Sequence, residues 1–303
     1  MAATGAGTQD NPYVVDNWDD FLTVCNISTT TYIVWDDAED KVVDFNEINP
    51  NGYDSTIEIK GNVDFNGWEL RNLWSRANQA IKITGASSAL GGISNVRITN
   101  ARHITIDANN SALLYISYAN LDNISISYEF NYIATGYAVW KNTYQGNLDR
   151  VGIYAYGMVT NGAWLILYSS SDNYTQQARN CRFHCEVQAN TGVSRFSNDL
   201  IHIGLYNSVV SGEMIIDDES ITQISIGHTT SALNVIRIQS NKTVRYGGNG
   251  ISLRVDRNYS GDIIRPNTVT WDEHVLLVNT AQARTQQEDI LAAGFPLHRA
   301  VDE

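Results

Sequence analysis

The sequence predicts an all-β chain: a single-stranded, right-handed parallel β-helix with a short capping helix at each end. Three observations carry this. A hexapeptide of the form apolar, any, Asn, apolar, any, apolar recurs along the chain. Within each copy the apolar residues alternate, which is strand period and not helix period. The composition, rich in Gly, Asn, Ser and Thr with only 4 Pro and 17% charged residues, suits many short strands joined by turns.

The elements follow in order. In 16–25, DNWDDFLTVC, the residues Trp18, Phe21, Leu22 and Cys25 fall at i, i+3, i+4 and i+7. That is one apolar helical face, with Asp16 or Asn17 as the cap, and it predicts a lid on the first coil. Strands are expected at YIVW (32–35), VVDF (42–45) and TIEI (56–59). The hexapeptide then appears from Leu70, Ile93, Leu121, Leu148 and Ala178, with weaker copies from Leu205 and Leu233, at intervals of 23, 28, 27, 30, 27 and 28 residues. Further alternating runs lie between copies, such as HITID (103–107), LLYISY (113–118) and ITQISI (221–226). Roughly three strands per repeat, stacked on their neighbours, make a β-solenoid. The Asn at 72, 95, 123, 180 and 207 fits a left-handed bend, with side-chain amides bonding up the stack. Near the end, Thr285 and Glu288 match a capping box, with Gly294 and Pro296 as stop signals, so a helix is expected over 286–293. The expected organisation is an N-terminal arm and capping helix over 1–30, a β-helix of about nine coils over 31–279, and a C-terminal capping helix and tail over 280–303.

Charge and composition narrow the function. A formal charge of −13 argues against a nucleic-acid partner, which needs a basic stripe to displace counterions. No run of eighteen apolar residues is present, so membrane insertion is not expected. The N-terminal residues lack a basic segment followed by an apolar run, which leads us to expect folding in a cytosol without a signal peptide. Three cysteines do not make a disulfide framework.

Three motifs could carry chemistry. CRFHC (181–185) has the residue types of a zinc site, but strand parity puts Cys181, Phe183 and Cys185 on one face and Arg182 and His184 on the other. Cys181 also occupies the inward place of Val96, Ile124 and Val151, so two buried thiols are expected, with no metal and no cofactor. Asp217, Asp218, His228 and Arg237 occur in the order of the polygalacturonase motifs, but their gaps are too short to stack on consecutive coils. The acidic run at 217–219 reads as a solvated turn, and no catalytic residue is assigned. Residues 115–174 hold 13 of the 30 aromatic residues, a density that asks for a role. Tyr154 and Tyr156 alternate with the inward Val151 and Ile153 and should face outward. Trp140 and Tyr144 fall in a stretch expected to protrude. These four are the candidates for a subunit interface or, second, a glycan-binding face.

Two end segments resemble a known group. GTQDNPYVVDNWDDFLTV with STIEIKGNVDFNGWELRNL is similar to the opening of β-helix proteins from bacteriophage and prophage structural gene clusters, and QEDILAAGFPLHR is similar to a tail segment in such proteins. The entry and first helix also occur in bacterial surface β-helix adhesins. The resemblance implies a pectin-lyase-like solenoid and a virion component: a head fibre, a decoration protein or a tail-associated receptor-binding protein. It implies a homo-oligomer, with a trimer favoured, assembled in the bacterial host cytoplasm with other virion proteins and contacting host cell-surface polysaccharide. The alternatives are a polysaccharide depolymerase on the same fold and a surface adhesin.

Overall fold

The computed structural model describes residues 3–105, 112–132, 140–142, 145–159, 167–169, 177–189, 201–202, 204–217, 219, 222–226, 234–246, 253–256, 263–264 and 275–291. Most of this is strand, and every pairing between named strands is parallel. The chain is a parallel β-solenoid. Its broad face is a ladder of eleven strands running from Tyr13–Val15 to Val275–Val278, with shorter strands attached beside it. A six-stranded face runs from Ile57–Lys60 to Ile201–His202, and a three-stranded face starts at Gln223–Ile226.

The hexapeptide is the register mark of the broad face. Ile93 pairs with Leu121, Leu121 with Leu148, Leu148 with Ala178 and Ala178 with Leu205. Five places further on, Ile98, Ile126, Ile153, Phe183, Val210 and Ile236 stack in one unbroken inward column. All are buried, and burial of each such side chain contributes about 1.5–3 kcal/mol. Between the two columns lies the bend. Asn95, Asn123, Arg150, Asn180 and Asn207 all have φ between 49° and 55°, a conformation that Asn tolerates better than most L residues. The amide of Asn123 donates to Asn95 Oδ1 at 2.7 Å, and that of Asn207 to Asn180 Oδ1 at 2.8 Å. Where Arg150 interrupts the column, its guanidinium binds Asp122 at 2.7 Å and Asn180 donates to Asp149 instead.

Two copies sit elsewhere than their spelling predicts. Leu70 pairs with Ile98, not Ile93, whose partner is Val63. LRNLWS therefore marks a second corner, where Asn72 and Asn100 bend at φ 63° and 52° and Asn100 donates to Asn72 Oδ1. This corner is lost in the next coil. Ile126 pairs with Ile98 and Tyr128 with Ala101, so two residues face one and no counterpart of Asn100 remains. The strand Ala119–Tyr132 runs straight through. In the last copy Leu233 lies outside the described residues, and Val210 pairs with Ile236 where the spelling predicted Ile238.

Helix α1 (Trp18–Val24) covers the first coil, capped by Asn17, whose side chain accepts from the Asp20 amide. Its buried face is Trp18, Phe21 and Val24, with Cys25 after them; Leu22 is exposed, against expectation, because three-residue spacing carries this short helix's contacts from Phe21 to Val24. A second short helix, α2 (Phe45–Ile48), lies beside it through an edge contact of Trp18 and Phe45 at 4.9 Å. Beneath both sit Trp35, Phe65 and Trp68.

The last helix, α3 (Thr280–Leu291), starts earlier than expected. The reciprocal cap is made by Asn279 and Gln282, not Thr285 and Glu288: Gln282 N donates to Asn279 Oδ1 at 2.9 Å and Asn279 N to Gln282 Oε1 at 3.2 Å. Its described contacts lie on the outer side of the broad face, where Ala283 joins Val209, Val235 and Val278 in a small cluster separate from the main core. Arg237 and Asp256, both fully buried, form an ion pair there at 3.1 Å, and Gln287 and Thr280 close over it.

Candidate functional site

The outer side of the broad face carries polar columns, because residues between the inward ones point away from the core. One column is Glu129, Tyr156, Glu186 and Glu213, in register on four successive strands. The next is Ser127, Tyr154, His184, Ser211 and Arg237. Adjacent strands in such a ladder are about 4.8 Å apart, so the first column spans three such steps.

A groove of about 610 Å³ follows this first column. Tyr156 stands on one margin between Glu129 and Glu186, with Glu213 beyond; Asn131, Met158, Gln188 and Ile215 form the other margin, and Phe130, Gly157 and Val187 lie between them. Glu129 is held by Arg102 at 3.3 Å. Glu186 accepts or shares a bond with His184 Nε2 at 3.2 Å. The groove thus offers a half-exposed aromatic ring, carboxylate acceptors and carboxamides that both donate and accept. It sits on regular strands whose inward residues lock into the core, so its geometry is rigid.

Of the sequence-derived candidates, Tyr154 and Tyr156 lie side by side, while Trp140 belongs to a different face. Tyr154 points outward by parity but is only 7% exposed, because it stacks on the His184 ring at 5.0 Å and 14° and abuts Tyr156 at 5.8 Å. Tyr156 alone of this pair lines the groove. The backbone of Trp140 does not protrude: it is in a strand of the six-stranded face, paired with Leu114 and Leu167 in the column of Ile57 and Ile81. Tyr144 lies outside the described residues. The glutamates of the groove escaped notice in the sequence because they come from three different coils. The signal was there: Glu129, Glu186 and Glu213 stand at the same place in their copies, which begin at Leu121, Ala178 and Leu205.

Cys181 and Cys185 are free and buried, as parity predicts. Burial pushes the Cys185 thiol up to about 12 and holds the His103 imidazole down at about 4. Neither lines the groove. Ser211, His184 and Glu186 make a hydrogen-bonded line, with His184 Nδ1 3.0 Å from Ser211 Oγ. These are the residue types of an acyl-transfer triad. However, Ser211 is 2% exposed and lies between two paired strands, so the amides around it serve the ladders and cannot converge on an oxyanion. The line orders the sheet surface and orients Glu186.

Set against known proteins, the chain matches no family model, no curated protein and no solved structure.

Proposed function

We propose that this chain is a non-enzymatic structural and binding component of a phage particle, of the head-fibre, decoration or tail-associated receptor-binding type, and that it contacts host-surface polysaccharide through the Tyr156 groove. The observation that carries the binding half is the register column Glu129, Tyr156, Glu186, Glu213. A sugar ring presents C–H groups on its face and hydroxyls at its edge. An aromatic ring flanked by carboxylates meets both demands. A subunit contact meets neither as well, since near a symmetry axis these carboxylates would face their own copies. The virion half rests on the resemblance of the two end segments, as does assembly into a homotrimer, for which the flat ladder sides are suited.

The test is binding of the full chain to an array of capsular and cell-wall glycans. Tyr156→Ala is expected to weaken a hit about tenfold or more, the loss of one stacked ring, with the melting temperature unchanged. Retained binding would remove the groove from the proposal. New reducing ends in the same mixtures would instead favour a depolymerase using Glu186 and Glu213, which are directly opposite on neighbouring strands. Light scattering reads the trimer separately.

A further inference from the structure

The charge of the chain is not evenly spread. Residues 1–60 hold 12 Asp and Glu against 2 Lys, so 10 of the 13 net negative charges lie in the first fifth of the sequence. Both lysines are already near carboxylates: Lys41 is 2.7 Å from Asp37 and Lys60 is 4.0 Å from Glu58. The acidic side chains that project from this end include Asp19, Asp37, Glu39, Asp40 and Glu47, all exposed.

Exposed apolar side chains gather at the same end. Among the described residues, the large hydrophobics left open to solvent are Val14, Leu22, Ile27, Val42 and Ile48, at 39–56% exposure. All belong to the terminal layer of the solenoid. Val14 is on the first strand of the ladder, Leu22 on α1, Ile27 just after it, Val42 on the strand that enters α2, and Ile48 on α2. The inner sides of both helices are fully used by Trp18, Phe21 and Phe45. The outer sides therefore combine Leu22 and Ile48 with Asp19 and Glu47. Scattered exposed apolar residues are ordinary. Their confinement to one end, on the layer that also holds most of the net charge, is the mark of a contact surface.

We propose that this N-terminal layer docks end-on against a basic protein surface that carries apolar side chains of its own. The charge selects the occupant. A second copy of the same end would bring like charge against like, since even with Asp54 and Glu58 paired to Arg76 and Lys82 the carboxylates of this end outnumber its cations, and anionic lipid or nucleic acid would be repelled likewise. A basic protein gains from both features: long-range attraction brings it in, and burial of Leu22, Ile27 and Ile48 holds it. The proposal is independent of what the Tyr156 groove binds.

The probe is a helical peptide of Leu and Lys with Leu on one face, compared with a Lys/Ser analogue and a Glu/Leu analogue. Each carries a photo-crosslinker and is titrated into the full chain. The Lys/Leu peptide should bind, crosslink within residues 14–48 and weaken with added salt. Both analogues should bind about tenfold or more weakly, as should the Lys/Leu peptide to Leu22→Ser/Ile27→Ser/Ile48→Ser, since each change removes either the charge attraction or the apolar burial. These residues are exposed, so the triple variant should melt as the parent does; if it does not, Asp19→Asn/Glu47→Gln replaces it with the same expected loss. Crosslinks spread along the solenoid, unchanged binding by the variants, or concentration-dependent dimerisation through this end would overturn the proposal.

Discussion

The two terminal helices of this protein are held by different physics. Helix α1 lies over the open end of the solenoid and inserts Trp18, Phe21 and Val24 into the same core that fills the coils. Helix α3 lies on the outer side of the ladder, with its Ala283 on Val209, Val235 and Val278, and over a buried ion pair. The difference follows from what each covers. The cross-section of a coil is apolar, so its lid must be an apolar plug. The outer side of a ladder is polar, so a helix can settle there only if it satisfies what it covers. Asp256 and Gln287 do this for Arg237, whose guanidinium is fully buried and needs charge-bearing and polar partners.

Substitutions at the two ends should therefore fail in different ways. Phe21→Ala empties the plug under α1, where Trp35 and Phe65 rings lie 5.4 and 5.6 Å away. It should cost about 3–5 kcal/mol and lower the urea midpoint of the whole solenoid, because the plug and the coils share one core. A loss confined to amide exchange in residues 18–24 would show instead that the lid is a separate unit.

Asp256→Ala leaves Arg237 buried without its carboxylate and should cost about 3 kcal/mol. Here the loss should be local. Hydrogen exchange is expected to rise across Thr280–Leu291 while the ladder strands before Arg237 stay protected. Arg237→Met combined with Asp256→Leu should restore most of the helix, since an apolar pair of similar volume needs no partner. If the double variant is as damaged as the single one, the ion pair is positioning the helix by direction and not only by charge balance.

The bend shared by the coils between the two ends sets the small end of this scale. Asn123→Ala keeps a β-carbon in a left-handed backbone but removes the short polar side chain that makes this conformation tolerable, and should cost about 1–2 kcal/mol in chemical denaturation. Asn123→Gly should cost less than the alanine change, because glycine has no such penalty and only the 2.7 Å bond to Asn95 is lost. Equal costs for the two would mean that the side-chain ladder, not the backbone angle, holds the corner.

Much of this was legible from alternation and spelling. The inward columns, the Asn bend, the buried thiols at 181 and 185 and the lid at 18–24 each depend on residues close together in sequence. The miscounts have particular causes. LRNLWS spells the same bend as ISNVRI, yet it belongs to a second corner that survives only through Asn100. Spelling reports the local backbone angle, and two corners of one coil can share it. Thr285 and Glu288 match a capping box as well as Asn279 and Gln282 do, and the choice fell to where the ladder ended, at Val278.

The sequence by itself determined the architecture, a parallel solenoid whose coils recur every 27–30 residues from Ile93 to Leu205, because strand parity and left-handed bends are properties of a few neighbouring residues. Only the tertiary structure decided what covers what. Tyr154 and Tyr156 have the same parity, yet one is sealed by His184 from the next coil and the other lines a groove. Arg237 points outward and is fully buried, because a helix fifty residues later lies across it. Direction is set by the strand a residue belongs to. Exposure is set by the coils and helices stacked around it, and those partners lie a full coil or more away in the chain.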